Sequence, residues 1–315
     1  MKNLRIVFMG TPDFAVATLK TLVNANYTIV GVVTAPDRPS GRGQKLSESA
    51  VKQYAKTNGL LVLQPTNLKS DMFLDELKAL NANLQIVVAF RMLPKAVWQM
   101  PKYGTFNLHA SLLPNYRGAA PINWAIINGE TNTGVTTFFI DDKIDTGAII
   151  NREDTTIETD ENAGSLHDKL MHLGSKLVLN TVKAIQLGSV TTTVQQENQN
   201  LKEAPKLNRD NCKINWDDDI GHIYNKIRGL SPYPAAWSFM ENNDETFEVK
   251  IYEAEKEVAH HNLTLGSIIV SKKEFKVAVK QGYIKIIKIK LPGKKLMDAV
   301  SLLNGYTFKN DAKMR

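Results

Sequence analysis

Asn107 and His109 stand two positions apart in an otherwise apolar run, GTFNLHASL over 104–112. Side chains in a strand alternate faces, so these two project together while Phe106 and Leu108 project the other way. An amide donor beside an imidazole can receive the negative charge that develops on an oxygen during acyl transfer. A protonated imidazole serves that purpose best, and a nearby carboxylate keeps it protonated. The next polar cluster, IDDKIDTGAI, offers Asp145, which precedes Thr-Gly in a turn. The plainer reading, that the amide and the imidazole only tie loops to the end of a strand, stays open on pattern alone.

Other chemistries lack their residues. The first strand is followed by GTPDFA, with one glycine where a dinucleotide fingerprint needs three, and no GxxxxGK[ST] phosphate loop occurs. A nicotinamide oxidoreductase is therefore disfavoured. One cysteine and six histidines, two of them adjacent at His260 and His261, offer no ligand spacing, so no metal is expected. Cys212, in RDNCKINW, has no histidine beside it and reads as an inert thiol. A lone cysteine also excludes an internal disulfide framework and fits a reducing cytoplasm. The start, MKNLRIVFMG, reads as a first strand and not a signal peptide. No apolar run nears the roughly 20 residues of a membrane span.

The elements that must position Asn107 and His109 follow from periodicity. Apolar runs over 4–10, 28–35, 60–65, 84–89 and 104–112 alternate with amphipathic stretches near 12–26, 48–58, 70–80 and 94–99. Strands apolar on both faces suit a parallel sheet covered by helices on both sides. The expectation is an α/β, Rossmann-like, doubly wound and mostly parallel sheet. In such sheets ligands sit at the carboxyl ends of the strands, where His109 falls. Thr11 is expected to cap the first helix, with Pro12 at its first position and Asp13 at its positive end. Two shorter strands follow over 133–140 and 147–153. A long helix over 163–187 comes next, with Leu166, Leu170, Leu173, Leu177, Thr181 and Ile185 on its buried face. His167 and His172 fall beside that stripe without a function.

The polar, aperiodic stretch 189–206 reads as a linker between a catalytic domain, 1–188, and a second domain, 207–315. In the second domain one helix begins in the acidic WDDDIGHIYNKIRGL, and short alternating strands follow. They suggest a small five-stranded, OB-like β-barrel. The alternation changes phase at Ile286 and Ile287, which predicts a β-bulge there. Trp216, Tyr233 and Trp237 are expected to pack in the barrel core.

The charge is lopsided. The chain of 315 residues carries a net +7, and 206–315 alone carries +5, with nine lysines and one glutamate between Lys272 and Lys295. Such a field attracts polyanions, nucleic acid first, although a solvated lysine-rich sheet face explains charge equally well.

Several runs together carry a resemblance. Asn107-x-His109-x-Ser111-Leu112-Leu113-Pro114, Tyr116-Arg117-Gly118-Ala119-Ala120-Pro121, Gly134-Val135-Thr136 and Asp145-Thr146-Gly147 resemble the formyltetrahydrofolate-dependent formyltransferases. GTPDFA at 10–15, APDRPSGRGQKL at 35–46, SPYPAAW at 231–237 and PGKKLM at 292–297 narrow the resemblance to the branch that acts on initiator tRNA. It implies transfer of a formyl group from 10-formyltetrahydrofolate to the α-amino group of methionine on that tRNA. Asn107 and protonated His109 would stabilise the tetrahedral intermediate, and Asp145 would keep His109 charged. Ser111, Leu112, Leu113 and Pro114 would contact the folate, and Phe90, Arg91, Met92 and Leu93 would line its pterin slot through main-chain groups. The loop Ala89-Phe90-Arg91-Met92-Leu93-Pro94 is one residue shorter than that branch usually has, and looks more like glycinamide ribonucleotide formyltransferase. Arg38, Arg42 and Lys45 would enter the acceptor end of the tRNA, while Lys206, Lys294 and Lys295 would contact phosphates. The resemblance further implies a cytoplasmic monomer with no metal and no membrane partner. Two alternatives stay open: a formyltransferase of the same fold acting on a small amine such as glycinamide ribonucleotide, and an inert RNA-binding protein on this scaffold.

Overall fold

The computed structural model describes all residues except 41–44 and 197–199, and only the backbone of Ser40 and Lys45. Two compact units emerge. One comprises 1–118, 133–155 and 167–203; the other comprises 119–132, 156–166 and 204–315. The stretch 189–203, read as linker from its sequence, thus lies within the first unit, and 119–132 joins the second. No helix among the described residues is long and apolar enough to cross a membrane.

The first unit is built on a seven-stranded sheet. Its strands are β1 (Arg5–Gly10), β2 (Thr28–Val33), β3 (Val62–Leu63), β4 (Leu84–Val88), β5 (Thr105–His109), β6 (Asn132–Phe139) and β7 (Ile149–Thr156). They lie in the order β7-β6-β5-β4-β1-β2-β3. From β3 to β5 every pairing is parallel, and β6 runs antiparallel to β5 with His109 opposite Thr136. Strands β1 and β4 are buried along almost their whole length, as two-sided coverage requires. The chain leaves β1 for β2 on one side and later fills β4 and β5 on the other. The order therefore reverses beside β1, which is where such sheets bind ligands.

Helices α1 (Asp13–Asn24), α2 (Ala50–Thr57), α3 (Asp71–Ala79) and α4 (Lys95–Trp98) stand close to their expected positions. The cap of α1 differs. Pro12, not Thr11, is the residue before the first turn, and it makes no side-chain capping bond. Asp13 still occupies the first turn. Ser49 caps α2 by accepting from the Lys52 amide at 3.1 Å. A short helix α5 (Pro121–Ile127) was not expected; proline at its start is the signal that announces it. The long helix is α6 (Ala163–Leu187), with the anticipated stripe buried at Leu166, Leu170, Leu177, Thr181 and Ile185.

The second unit is a nearly closed antiparallel barrel with helix α7 (Ile220–Leu230). Asp219 caps α7 by accepting from the His222 amide at 2.9 Å. Five principal strands, β8 (Ala236–Asn242), β9 (Glu245–Val258), β10 (Ile268–Val270), β11 (Phe275–Val279) and β12 (Gly282–Lys290), pair in the order β10-β11-β12-β9-β8. The terminal β13 (Lys313–Met314) pairs with β8, and hydrogen bonds from Ile268 N to Ala312 O and from Met314 N to Gly266 O bring it to the β10 edge. That contact removes an open sheet edge.

The phase change is a bulge. Along β12, Ile284, Ile286 and Ile289 point inward and are buried, while Ile287 has no partner between Ile286 opposite Ala254 and Lys288 opposite Glu253. Tyr252 is the compensating extra residue on β9. Trp216 and Trp237 are buried as expected; their indole N–H groups donate to Ser238 Oγ and Arg209 O. Tyr233 is the exception. It is 82% exposed, because the turn after α7 projects it away from the barrel that holds its neighbours. A short helix, α8 (Ala299–Gly305), capped by Asp298, was also unforeseen.

Tyr224, on α7, is buried and donates to Asp160 Oδ1 at 2.8 Å. Burial, and then that bond, push its pKa up to about 12 from 10.0. A raised phenol contributes stability that is complete below pH ~10 and is lost as pH rises toward ~12, at most about 3 kcal/mol. Urea midpoints measured at pH 9 and pH 11.5 should therefore fall further for the parent chain than for Tyr224→Phe; equal losses would refute the assignment.

Candidate active site

Asn107 and His109 occupy the carboxyl half of β5 and share a face, the one turned toward the turn that carries Asp145. His109 is 6% exposed. Its Nε2 lies 2.8 Å from Tyr116 O, so Nε2 carries a proton and donates to that carbonyl. Its Nδ1 lies 3.7 Å from Asp145 Oδ2, within ion-pair range and longer than a hydrogen bond. The carboxylate is itself held: Oδ2 accepts from the Gly118 amide at 3.0 Å. The imidazole is thus held at Nε2 by the Tyr116 carbonyl, which sets its tautomer, and faces the carboxylate with Nδ1.

Asn107 differs from its neighbours in having a buried amide oxygen without a hydrogen-bond partner. Buried polar atoms are seldom left so, and an orphan of this kind asks for a ligand group. Amide oxygen and nitrogen exchange places by a half-turn of the terminal bond, so the same position can present an N–H donor.

Downstream, the backbone is bound tightly. Thr136 Oγ1, wholly buried, donates to Ser111 O at 2.6 Å and accepts from Leu113 N at 3.2 Å. Arg152 donates to Leu113 O at 2.9 Å, and Ser111 Oγ donates to Asn115 O at 2.7 Å. The Leu113–Pro114 peptide is cis. Ser111 and Leu113 are therefore buried and engaged with protein, whereas Leu112 and Pro114 are only half-buried. The loop after β4 has another character. Main-chain groups of Phe90, Arg91 and Met92 form no hydrogen bond among the described residues. Leu93 is buried in the core with Val97, Met92 is exposed, and the Arg91 guanidinium donates to the carbonyls of Pro65 and Thr66. Burial, then the charge of Arg38, lower the pKa of Arg91.

Gly147, two residues beyond Asp145, has no room for a side chain, since a Cβ there would run into the Phe139 carbonyl. Gly134 is crowded likewise by the Glu153 carbonyl. The bare backbone at Gly147 lets the turn that bears Asp145 pass against the end of β6, and Gly134 lets β6 lie close to β7.

The cationic residues fall in several places. Arg38 is exposed on a short antiparallel pair, Arg38–Ser40 with Lys45–Ser47. Arg42 and the side chain of Lys45 lie outside the described residues. Lys206, Lys294 and Lys295 are exposed. Several other barrel lysines are spoken for: Lys288 pairs with Glu253 at 2.6 Å, Lys285 with Glu255 at 3.5 Å and Lys276 with Glu257 at 2.7 Å, a ladder across β9 and its neighbours. Hydrogen bonds to those glutamates raise the pKa of Lys276 and Lys288.

Sequence reasoning missed Thr136 as a brace, Arg152 and Gln195. Thr136 lies in the run Gly134-Val135-Thr136; Arg152 and Gln195 carry no local signal, because each acts through chain segments distant from its own.

Comparison with known proteins bears on the whole chain. The formyl transferase family matches residues 4–182, and the formyl transferase C-terminal domain matches residues 206–307. A protein of Flavobacterium johnsoniae named methionyl-tRNA formyltransferase is 62% identical over 314 residues, covering 100% of both chains. Among solved structures, an N-formyltransferase from Helicobacter canadensis in complex with folinic acid and dTDP-3-aminofucose is 21% identical, with a TM-score of 0.64 over 90% of this chain and 98% of that one. HypX from Aquifex aeolicus in complex with tetrahydrofolic acid is 17% identical, with a TM-score of 0.64 over 96% of this chain and 47% of that one. At those identities the two structures establish likeness of fold. The matches at both ends, together with full-length identity of 62%, show that this chain belongs to the formyl transferase family.

Proposed function

We propose that the chain transfers the formyl group of 10-formyltetrahydrofolate to the α-amino group of methionine carried on initiator tRNA, acting as a cytoplasmic monomer. The observation that carries the reading is full-length identity with relatives named methionyl-tRNA formyltransferase, second domain included. A formyltransferase solved with dTDP-3-aminofucose is alike in fold over 90% of this chain, so it is the full-length identity, rather than the presence of a second domain, that favours tRNA as the acceptor.

The amine nitrogen attacks the formyl carbon, a C–N bond forms, and the carbonyl pair moves onto oxygen. Collapse breaks the bond from carbon to N10. The amine gives up one proton and N10 gains one. Asn107, whose buried position now holds an unpartnered amide oxygen, supplies an N–H hydrogen bond to the transient oxyanion once the amide is turned over. His109 supplies positive charge, and Asp145 faces Nδ1 to hold that charge and to help pass the proton. The free main-chain groups of Phe90, Arg91 and Met92 suit the polar edge of a pterin, with Leu93 as their apolar backing. Leu112 and Pro114 offer apolar contact from the other loop, while Ser111 and Leu113 hold that loop in shape. Arg38, Arg42 and Lys45 would meet the acceptor end of the tRNA, and Lys206, Lys294 and Lys295 its phosphates.

The pure protein, incubated with 10-formyltetrahydrofolate and methionyl-tRNA, should yield formylmethionyl-tRNA by mass spectrometry and should leave glycinamide ribonucleotide unmodified; the reverse pattern would establish the alternative. Asn107→Ala should lower kcat by about 100–1,000-fold, while tRNA affinity stays within about twofold. Loss of affinity at normal kcat would remove the oxyanion role. For Arg42→Ala the expectation is weaker initiator tRNA binding, with the salt dependence shallower by about one unit of slope. A steeper dependence would contradict phosphate contact.

A further inference from the structure

Gln195 lies in the aperiodic TTTVQQENQN, yet it is buried, at 8% exposure. Its side-chain amide is fully engaged. Nε2 donates to Asp145 O at 2.9 Å and to Gly147 O at 2.8 Å. Oε1 accepts from Arg117 Nε at 3.2 Å and from Arg117 Nη2 at 2.7 Å. Carbonyls on one side and a guanidinium on the other leave one orientation of the amide, because only N–H can meet the first and only oxygen the second.

The two segments it joins are those that hold His109. Tyr116, beside Arg117, gives the carbonyl that receives Nε2, and Gly118 gives the N–H that holds the Asp145 carboxylate. Both segments contain a residue in the left-handed region, Tyr116 at φ 62° and Asp145 at φ 55°. Side-chain-bearing residues keep such a conformation only when the surroundings impose it. Main-chain contacts at Thr193 and Lys202 anchor the clamp in turn: Thr193 exchanges hydrogen bonds with Ile149, and Lys202 O accepts from the Tyr116 amide.

We propose that Gln195 is a positioning residue for formyl transfer: it fixes the Asp145 turn against the 116–118 loop and so sets the distance between carboxylate and imidazole. It does not touch the reacting atoms. The inference rests on the catalytic reading of Asp145 and His109, and adds that this geometry is imposed from a segment more than 40 positions away in sequence from either.

A double-mutant cycle tests it. Gln195→Leu removes all four bonds at similar volume; Gln195→Glu keeps the acceptors facing Arg117 but cannot donate to the two carbonyls. Both should lower kcat by about 10–100-fold, with KM for folate and for methionyl-tRNA within about twofold. In an Asp145→Asn background, either substitution should cost less than about threefold more, since the group it positions is already disabled. If Gln195→Leu does not fold, the Gln195→Glu cycle stands alone. Full activity of Gln195→Glu, multiplicative losses in the double variant, or a rise in KM at unchanged kcat would each overturn the proposal. Failure of the catalytic reading is told apart by Asp145→Asn alone, which would then retain parental kcat.

Discussion

The architecture of the first unit turns on one contact, a carboxylate facing an imidazole 3.7 Å away at the end of a parallel sheet, with side chains only 13% and 7% exposed. Removing two ionisable groups from water costs several kcal/mol per ion unless partners replace the hydration. Here the replacements are specific. Asp145 accepts a hydrogen bond from the Gly118 amide, and His109 donates one to the Tyr116 carbonyl. Each partner comes from the loop between Tyr116 and Gly118, so one short segment serves both members of the pair. The sheet supplies the third constraint, because β6 lies antiparallel to β5 with Thr136 opposite His109.

Much of this was legible in the residue pattern, and the exceptions have physical causes. Two-sided apolar runs announced the parallel strands, and the step of two between Asn107 and His109 placed both on one face. The shifted alternation around Ile287 announced its bulge, because burial obeys local periodicity even where pairing does not. The polar cluster IDDKIDTGAI offered Asp145 as the carboxylate, and motif resemblance added to it, although periodicity could not connect it to a strand some 36 positions earlier. Gln195 was illegible for the opposite reason. Its surroundings are polar and without period, and its burial is decided by partners at 117, 145 and 147. Tyr233 misled in a similar way: its aromatic neighbours pack inward, and the turn geometry that exposes it leaves no mark in composition.

The basic excess of the C-terminal third divides into two populations. Lys276, Lys285 and Lys288 form ion pairs with glutamates on β9, and surface pairs of this sort contribute little to stability while spending cationic charge locally. Lys294 and Lys295 sit in the turn after β12, where Gly293 adopts φ 70°. Total charge therefore overstates the field this unit can offer to a polyanion.

Gly147 carries one last implication. Its place in an Asp-Thr-Gly signature invites a chemical explanation, but the crowding by Phe139 shows that its contribution is vacancy of volume. Any scaffold meant to bring a carboxylate to this place beside an imidazole would therefore have to copy a bare backbone position along with the two side chains.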